Sequence, residues 1–187
     1  MAKIRAIGNK GHIDKLSLSK GNLITAAIAR GFKYLESVEW MWLWCSVTRT
    51  AMREVLTVPN LRTLDVLEIR HPGQLQNTEL AESLIAFRAN HYMSEVDLLA
   101  VSKFPVLEEL GAQNSAISET SLTAILEMPY LQNIDLEGTG FDDKMAKTMS
   151  HVDRIKKLDL GATRLTGKGL KYLMWYETTY FPRSMGK

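Results

Sequence analysis

Residues 130–173 contain the same pattern twice. The apolar positions of the first copy recur 24 residues later in the second, where Leu131, Ile134, Leu136 and Phe141 become Ile155, Leu158, Leu160 and Leu165. The shared pattern is L-x-x-L-x-L-x-x-T-x-L, in which one short strand and one helix form each turn of a solenoid. Because each such unit buries its apolar faces only against its neighbours, the pattern predicts a stack of similar units.

The two copies resemble the leucine-rich repeat family in its bacterial style, in which Thr replaces the usual Asn at the ninth position. Thr139 and Thr163 hold that position, and TRLTGKGLKYL is similar to the recurrent T-x-I-T-D-x-G-L-x-x-L of those proteins. The resemblance implies an α/β solenoid with parallel strands on its concave face and helices on its convex face. It also implies a protein-binding surface. Because this fold hosts many functions, the resemblance does not identify the partner.

The same frame extends over most of the chain and predicts about seven repeats. Successive repeats are predicted to begin 22 to 26 residues apart, at Ile13, Leu35, Leu61, Leu84, Leu107, Leu131 and Ile155. A second register supports this frame, because residues that favour the helix N-cap recur every 24 residues, at Ser94, Ser118, Asp142 and Thr166. Thr48 fits the same position in the second repeat, and His71 with Pro72 predicts the start of the third helix.

The length of 187 residues favours a single domain. Residues 1–12 are predicted to form an N-terminal cap, residues 13–173 the repeats, and residues 174–187 a C-terminal cap. In that last segment the aromatic side chains either fold over the final repeat or form a binding patch; they are Trp175, Tyr176, Tyr180 and Phe181.

Composition and motifs narrow the class of function. The net charge of +2 does not by itself indicate a nucleic-acid partner, and a single cysteine, Cys45, cannot form an internal disulfide. No apolar segment fits a signal peptide or a membrane span, so a cytoplasmic location without membrane attachment is expected. The four histidines lack metal-ligand spacing and no catalytic or nucleotide-binding motif occurs. We therefore expect no enzymatic activity, no metal and no cofactor.

The strand pattern predicts which side chains face away from the core. Leucines of L-x-x-L-x-L point inward and the residues between them point to the concave surface. The candidate residues are acidic on balance: Glu39, Asp65, Glu68, Arg88, Glu109, Asp135, Glu137 and Asp159. This stripe favours a basic partner. The alternative is that Asp in L-x-x-L-D-L belongs to the repeat consensus and is merely solvated.

Three tryptophans stand in the second repeat, which has two more residues than the frame allows. Trp40 occupies a leucine position and is predicted to be in the core. The extra residues are predicted in the loop that leaves the strand, beside Trp42 and Trp44. These two tryptophans are either exposed anchors for a partner at the end of a concave strand or packed against the terminal repeat by the enlarged loop. His91 and Tyr92 are predicted on the same rim, two repeats further along.

These features together predict a monomeric module that binds another protein on its concave face. A sharper hypothesis is an immunity or inhibitor protein that sequesters a small basic toxin such as a nuclease. Two alternatives use the same surface differently: a scaffold or adaptor subunit of a larger assembly, and the recognition part of an effector or ligase.

Overall fold

The structure is a computed structural model that describes residues 3–7, 13–76 and 81–174, with side chains described from residue 13 onward except at residues 20–22. Its strands form one sheet in chain order: β1 (Lys3–Ile7), β2 (Lys15–Ile24), β3 (Trp40–Val47), β4 (Thr63–Val66), β5 (Ala86–Ala89), β6 (Glu109–Ala112), β7 (Asn133–Asp135) and β8 (Lys157–Asp159). β1, within the predicted N-terminal cap, pairs antiparallel with β2, and every later pair is parallel. Of the predicted C-terminal cap, residues 175–187 lie outside the described part of the chain.

Helices follow the strands and form the second layer. They are α1 (Ala26–Ala29) with a 3-10 turn (Arg30–Tyr34), α2 (Arg49–Leu56), α3 (Glu95–Val101), α4 (Glu119–Leu126), α5 (Asp143–Met149) and α6 (Gly167–Leu170) with a 3-10 turn (Lys171–Leu173). A parallel strand after each crossover stacks the repeats along one axis. The predicted α/β solenoid is therefore confirmed.

The core between the layers is a set of apolar ladders that run through the repeats. From the third repeat onward, the three leucine-type positions of each strand are at most 3% exposed: Leu61, Leu64 and Val66; Leu84, Phe87 and Ala89; Leu107, Leu110 and Ala112; Leu131, Ile134 and Leu136; Ile155, Leu158 and Leu160. Each of these side chains packs against the equivalent side chains of the neighbouring repeats. The hydrophobic core is therefore elongated along the stack of repeats.

The helix starts predicted from the 24-residue register are confirmed. Thr48, Ser94, Ser118, Asp142 and Thr166 are the N-caps of α2 to α6, and each side chain accepts a hydrogen bond from a backbone N–H of the first turn. Asp142 accepts from two such groups, and Ser118 forms a capping box with Ser121. These bonds satisfy N–H groups that have no partner within the helix.

We expect Ser118→Ala and Asp142→Ala each to lower the free energy of unfolding by about 1 kcal/mol, the usual loss for an N-cap side chain. Urea unfolding followed by circular dichroism measures the change. Thr148→Ala is the matched control, because this exposed hydroxyl on α5 bonds only the Lys144 carbonyl and is expected to change stability by less than about 0.5 kcal/mol. A loss in the control as large as in the cap variants would contradict the capping role.

The prediction for the second repeat is wrong in register. The strand positions pair Met41 with Leu64 and Leu43 with Val66, so the repeat begins at Val38, which is fully buried, and not at Leu35. Nearly every residue of WMWLWCSV is apolar, so either set of alternate residues could face the core. A one-residue slip of the strand moves each side chain from the core face to the opposite face of the sheet. The smaller residues Met41, Leu43, Cys45 and Val47 face the core, whereas the tryptophans face outward.

The two extra residues also lie elsewhere than predicted. The pairing of β2 with β3 shifts between Ser19 and Leu23, which places three residues of β2 opposite Cys45 alone. The bulge therefore belongs to the first repeat, and the loop that leaves β3 is not enlarged.

The third repeat has turns where a helix was predicted. Residues 71–76 form bends and turns around Gly73, whose φ is +74°. The carboxylate of Asp97, buried in α3 of the next repeat, accepts hydrogen bonds from Gly73 N at 3.0 Å and Leu75 N at 2.7 Å. This contact stabilises a turn conformation, because the buried backbone donors find their partner in another repeat.

Candidate functional site

The face of the sheet opposite the helices, here called the sheet face, carries three rows of side chains that follow from the strand register. The first two rows take one residue from each of β2 to β8 in turn. The first row is Lys15, Trp40, Thr63, Ala86, Glu109, Asn133 and Lys157. The second is Ser17, Trp42, Asp65, Arg88, Gly111, Asp135 and Asp159. The third row continues this register two residues further along: Ser19 and Trp44 lie within β2 and β3, and Leu67, Asn90, Gln113, Glu137 and Gly161 follow β4 to β8.

One strand places three tryptophans on this face, and we call Trp40, Trp42 and Trp44 the tryptophan row. Trp40 is 38% exposed and Trp44 is 45% exposed, so the predicted core position of Trp40 is wrong. The rings of Trp40 and Trp42 lie 5.9 Å apart at 46°, and Lys15 Nζ lies 4.5 Å from the Trp40 ring centre. Alternation along an extended strand puts all three rings on the same side of the sheet.

An ion-paired cluster occupies the next strands. Arg88 donates to Asp65 Oδ1 from Nη1 at 2.9 Å and to Glu109 Oε1 from Nε at 2.6 Å. The hydrogen bond with Glu109, and then that with Asp65, raises the pKa of Arg88 against the opposing effect of burial. A Cβ at Gly111 would lie 3.1 Å from Arg88 Cβ and Cγ, so glycine leaves room for the arginine stem. Both acids here are ion-paired with the same arginine, which offsets one of their two negative charges.

The far end of the sheet face is different, and we call Asp135, Glu137 and Asp159 the acidic end. Asp135 accepts from Gln113 Nε2 at 2.7 Å and from Glu137 N at 3.0 Å, and Asp159 accepts from Gly161 N at 2.9 Å. Among the ion pairs of the described residues, none involves these three carboxylates. Burial, and then the charges of Asp159 and Glu109, raise the pKa of Asp135, while its hydrogen bonds oppose the shift. The acidic end therefore has unneutralised negative charge.

We expect Asp159→Asn to lower the pKa of Asp135, because it removes a like charge that contributes to the raised value. The raised pKa means that the folded chain holds this proton more tightly than the unfolded chain. The contribution of Asp135 to stability therefore falls as the pH rises from the ordinary range through the raised value. Carboxyl-carbon NMR titration measures the pKa, with exposed Asp153→Asn as control. An unmoved pKa in Asp159→Asn would show that the two carboxylates are not coupled.

The remaining predicted residues lie at the margins of this face. Glu39 precedes β3 and lines a groove of about 350 Å³ along the edge where the strands begin, together with Asn60, Arg62, Ser83, Ile85, Val106 and Glu108. The prediction that Glu39 lies between the second and third leucine positions of its repeat is wrong. Met41 and Leu43 occupy those two positions, so Glu39 comes before both. Glu68 follows β4 and forms an ion pair with Arg70. His91 and Tyr92 are exposed in the loop after β5.

Sequence reasoning missed two contributors to the sheet face: the exposed Trp40, and Gln113, whose side chain donates to Asp135. The outward position of Trp40 could have been found by aligning HIDKLSL with the tryptophan strand from Val38. Lys15, which lies between leucine positions, and Trp40 are then equivalent. Gln113 carries no such signal, because its partner is on the next repeat.

Other kinds of site find little support in the part of the chain that the structure describes. No three side chains of His, Cys, Asp or Glu there are grouped so that they could ligate a metal ion. None of the described helices has both the length and the apolar character needed to cross a bilayer. Burial raises the pKa of the Cys45 thiol, which keeps it in the unreactive protonated form.

Comparison with solved structures agrees with the architecture. The chain is similar to an internalin from Listeria monocytogenes, with a TM-score of 0.65 at 17% sequence identity. The match covers 92% of this chain and 48% of the internalin chain, so this chain spans about half the length of that protein. The likeness shows the leucine-rich repeat fold. No family model and no curated protein matches the sequence.

Proposed function

We propose that this chain is a protein-binding repeat module that holds a basic, folded partner on its sheet face. The tryptophan row carries the proposal, because two of its three large rings are more than a third exposed on a rigid strand. Burying such rings in an interface stabilises a complex more than burying most other side chains, and tryptophan is enriched among the residues that dominate binding energy.

The sheet face has an aromatic region and an acidic region, and their separation constrains the shape of the partner. The tryptophan row lies on β3 and the acidic end on β7 and β8, four to five strands away. At about 4.8 Å per strand, the two regions are roughly 20 Å apart. A partner that contacts both therefore presents an apolar patch and a cluster of Lys or Arg at that separation. A small folded domain meets this requirement better than a single side chain or a short linear motif.

The sharper form of the proposal is inhibition: the chain sequesters a small basic toxin such as a nuclease, as an immunity or inhibitor protein does. Its support is the charge of the sheet face, which carries five acids against three bases in a chain with a net charge of +2. Complementary charge would speed association with such a partner and favour it over acidic proteins.

Affinity capture with matched baits tests the proposal. The baits are the native chain, Trp44→Ala, Asp135→Lys with Asp159→Lys, and Tyr34→Ala, which removes an aromatic ring that is 75% exposed in the helical layer. Mass spectrometry is expected to identify a basic protein that the native and Tyr34→Ala baits retain and the two sheet-face baits lose. Equal capture by all four baits would refute binding through the sheet face. Purified partner then shows whether its own activity falls when the chain is added.

A further inference from the structure

We infer that the groove along the edge where the strands begin is a second binding site, separate from the sheet face, for a free basic amino acid, arginine or lysine. The groove has a volume of about 350 Å³, at the lower end of the range for small-molecule sites. Three exposed charged side chains line it: Glu39, Arg62 and Glu108. Among the ion pairs of the described residues, none involves these three. Their charges are therefore available to a ligand.

Backbone hydrogen bonds fix the order of the charges along the groove. Arg62 N donates to Glu39 O at 2.8 Å. Ile85 N donates to Arg62 O, and Glu108 N donates to Ile85 O, each also at 2.8 Å. The four residues therefore hold equivalent positions in successive repeats. Along the groove the order is carboxylate, guanidinium, apolar side chain and carboxylate.

The residue before the first leucine position of each repeat forms the opposite wall of the groove: Asn60, Ser83 and Val106. The next two repeats have the larger residues Tyr130 and Arg154 at this position, and the groove does not extend to them. Ser83 Oγ donates to a backbone carbonyl of the preceding repeat at 3.0 Å, so toward a ligand it can only accept. Half-buried Val106 and Ile85 give the groove its apolar part.

A basic amino acid presents the complementary groups in the same order. Its α-ammonium pairs with Glu39 and its α-carboxylate with Arg62. Its methylene stem covers Ile85, and its side-chain cation pairs with Glu108. An uncharged amino acid lacks the last contact, and a diamine lacks the contact with Arg62.

The length of the ligand agrees with the length of the groove. Three strand spacings separate Glu39 from Glu108, or roughly 14 Å. After a hydrogen-bond distance of about 3 Å at each end, about 8 Å remains for the ligand. An extended arginine or lysine spans roughly that distance between its α-nitrogen and its side-chain cation.

NMR titration of the nitrogen-15-labelled full chain with free amino acids at low salt tests the site. Ion pairs in an open groove are weak, so we expect arginine and lysine to bind with a Kd on the order of 1 mM. Alanine, which lacks both the stem and the cation, is expected to bind at least tenfold more weakly. N-acetylarginine and argininamide each lack one α charge and are expected to bind at least threefold more weakly.

Single substitutions assign the contacts. Glu108→Gln is expected to weaken arginine at least threefold and to leave norvaline unchanged, because norvaline has the stem without the cation. Arg62→Gln is expected to weaken arginine but not argininamide, which has no carboxylate. The matched control is Glu127→Gln, which removes an exposed acid at the same edge but outside the groove. It is expected to leave the affinity for arginine unchanged.

Three results would each overturn the inference. They are the absence of saturable binding by arginine and lysine, equal affinities for arginine and alanine, and an equal loss of arginine affinity in Glu108→Gln and Glu127→Gln. The last would indicate a general attraction between charges and not a site. Thermal unfolding is expected to show native melting temperatures, because the substituted residues are exposed. Trp44→Ala is expected to bind arginine like the native chain, so this site and the proposed function fail separately.

Discussion

Leu136→Asp is expected to unfold the C-terminal repeats. Leu136 is fully buried at the third leucine position of its repeat, between the equivalent positions Ala112 and Leu160. A carboxylate there would have no cation and no water, and burying an unpaired charge costs several kcal/mol. A domain of this size has a total stability of roughly 5–15 kcal/mol, so the variant loses a large fraction of it. Urea unfolding followed by circular dichroism and by tryptophan fluorescence measures the loss.

Two further variants give that experiment its controls. Leu160→Asp, one repeat later, is expected to behave in the same way, since Leu160 is 3% exposed. Lys157→Asp places the same carboxylate at an exposed position of β8 and is expected to change stability by less than about 0.5 kcal/mol. Melting of Leu136→Asp and Leu160→Asp at the temperature of the native chain would contradict the repeat register.

The C-terminal half of the fold was predictable because two independent patterns agree there. The leucine positions of residues 130–173 fix the strands, and the N-cap residues Ser118, Asp142 and Thr166 fix the helices. Both patterns are local, since each depends on side chains within a few residues of the backbone groups they satisfy. Local patterns of this kind survive stacking, because every repeat meets nearly identical neighbours.

The register of β3 was not predictable from apolar periodicity, because eight successive residues are nearly all apolar. The structure places the smaller side chains Met41, Leu43 and Cys45 in the core and the tryptophans on the sheet face. The turn at residues 71–76 depends on Asp97 in another repeat. Both failures arise from contacts between repeats, which a pattern within one repeat does not contain.

The sequence predicted several acidic residues of the sheet face, but it did not predict which of them form ion pairs. The sequence indicates an acidic stripe and places Asp65, Asp135 and Asp159 on the sheet face, where the structure also has them. That stripe divides into an ion-paired centre and an end without ion pairs, because Arg88 reaches acids on both neighbouring strands. The three-strand span of this cluster becomes visible only once the strand register is known.

Binding kinetics are expected to separate the two ends of the sheet face. Asp135→Lys with Asp159→Lys should slow association with a basic partner tenfold or more at low salt, since long-range charge steers encounter. The salt dependence of the association rate should weaken or reverse at the same time. Surface plasmon resonance at two salt concentrations measures both effects. Glu39→Lys is the matched control, because its carboxylate lies in the groove at the strand edge and not on the sheet face.

Trp44→Ala is expected to act on dissociation instead. Loss of a buried aromatic anchor costs about 2 kcal/mol or more, so the complex should dissociate roughly thirtyfold faster while the association rate stays nearly constant. The two regions are roughly 20 Å apart by strand count, and sites at such distances contribute additively. The combined variant should therefore show the product of the two kinetic effects. Association and dissociation changing together in every variant would indicate loss of folding, and unchanged rates would place the binding surface on the helices.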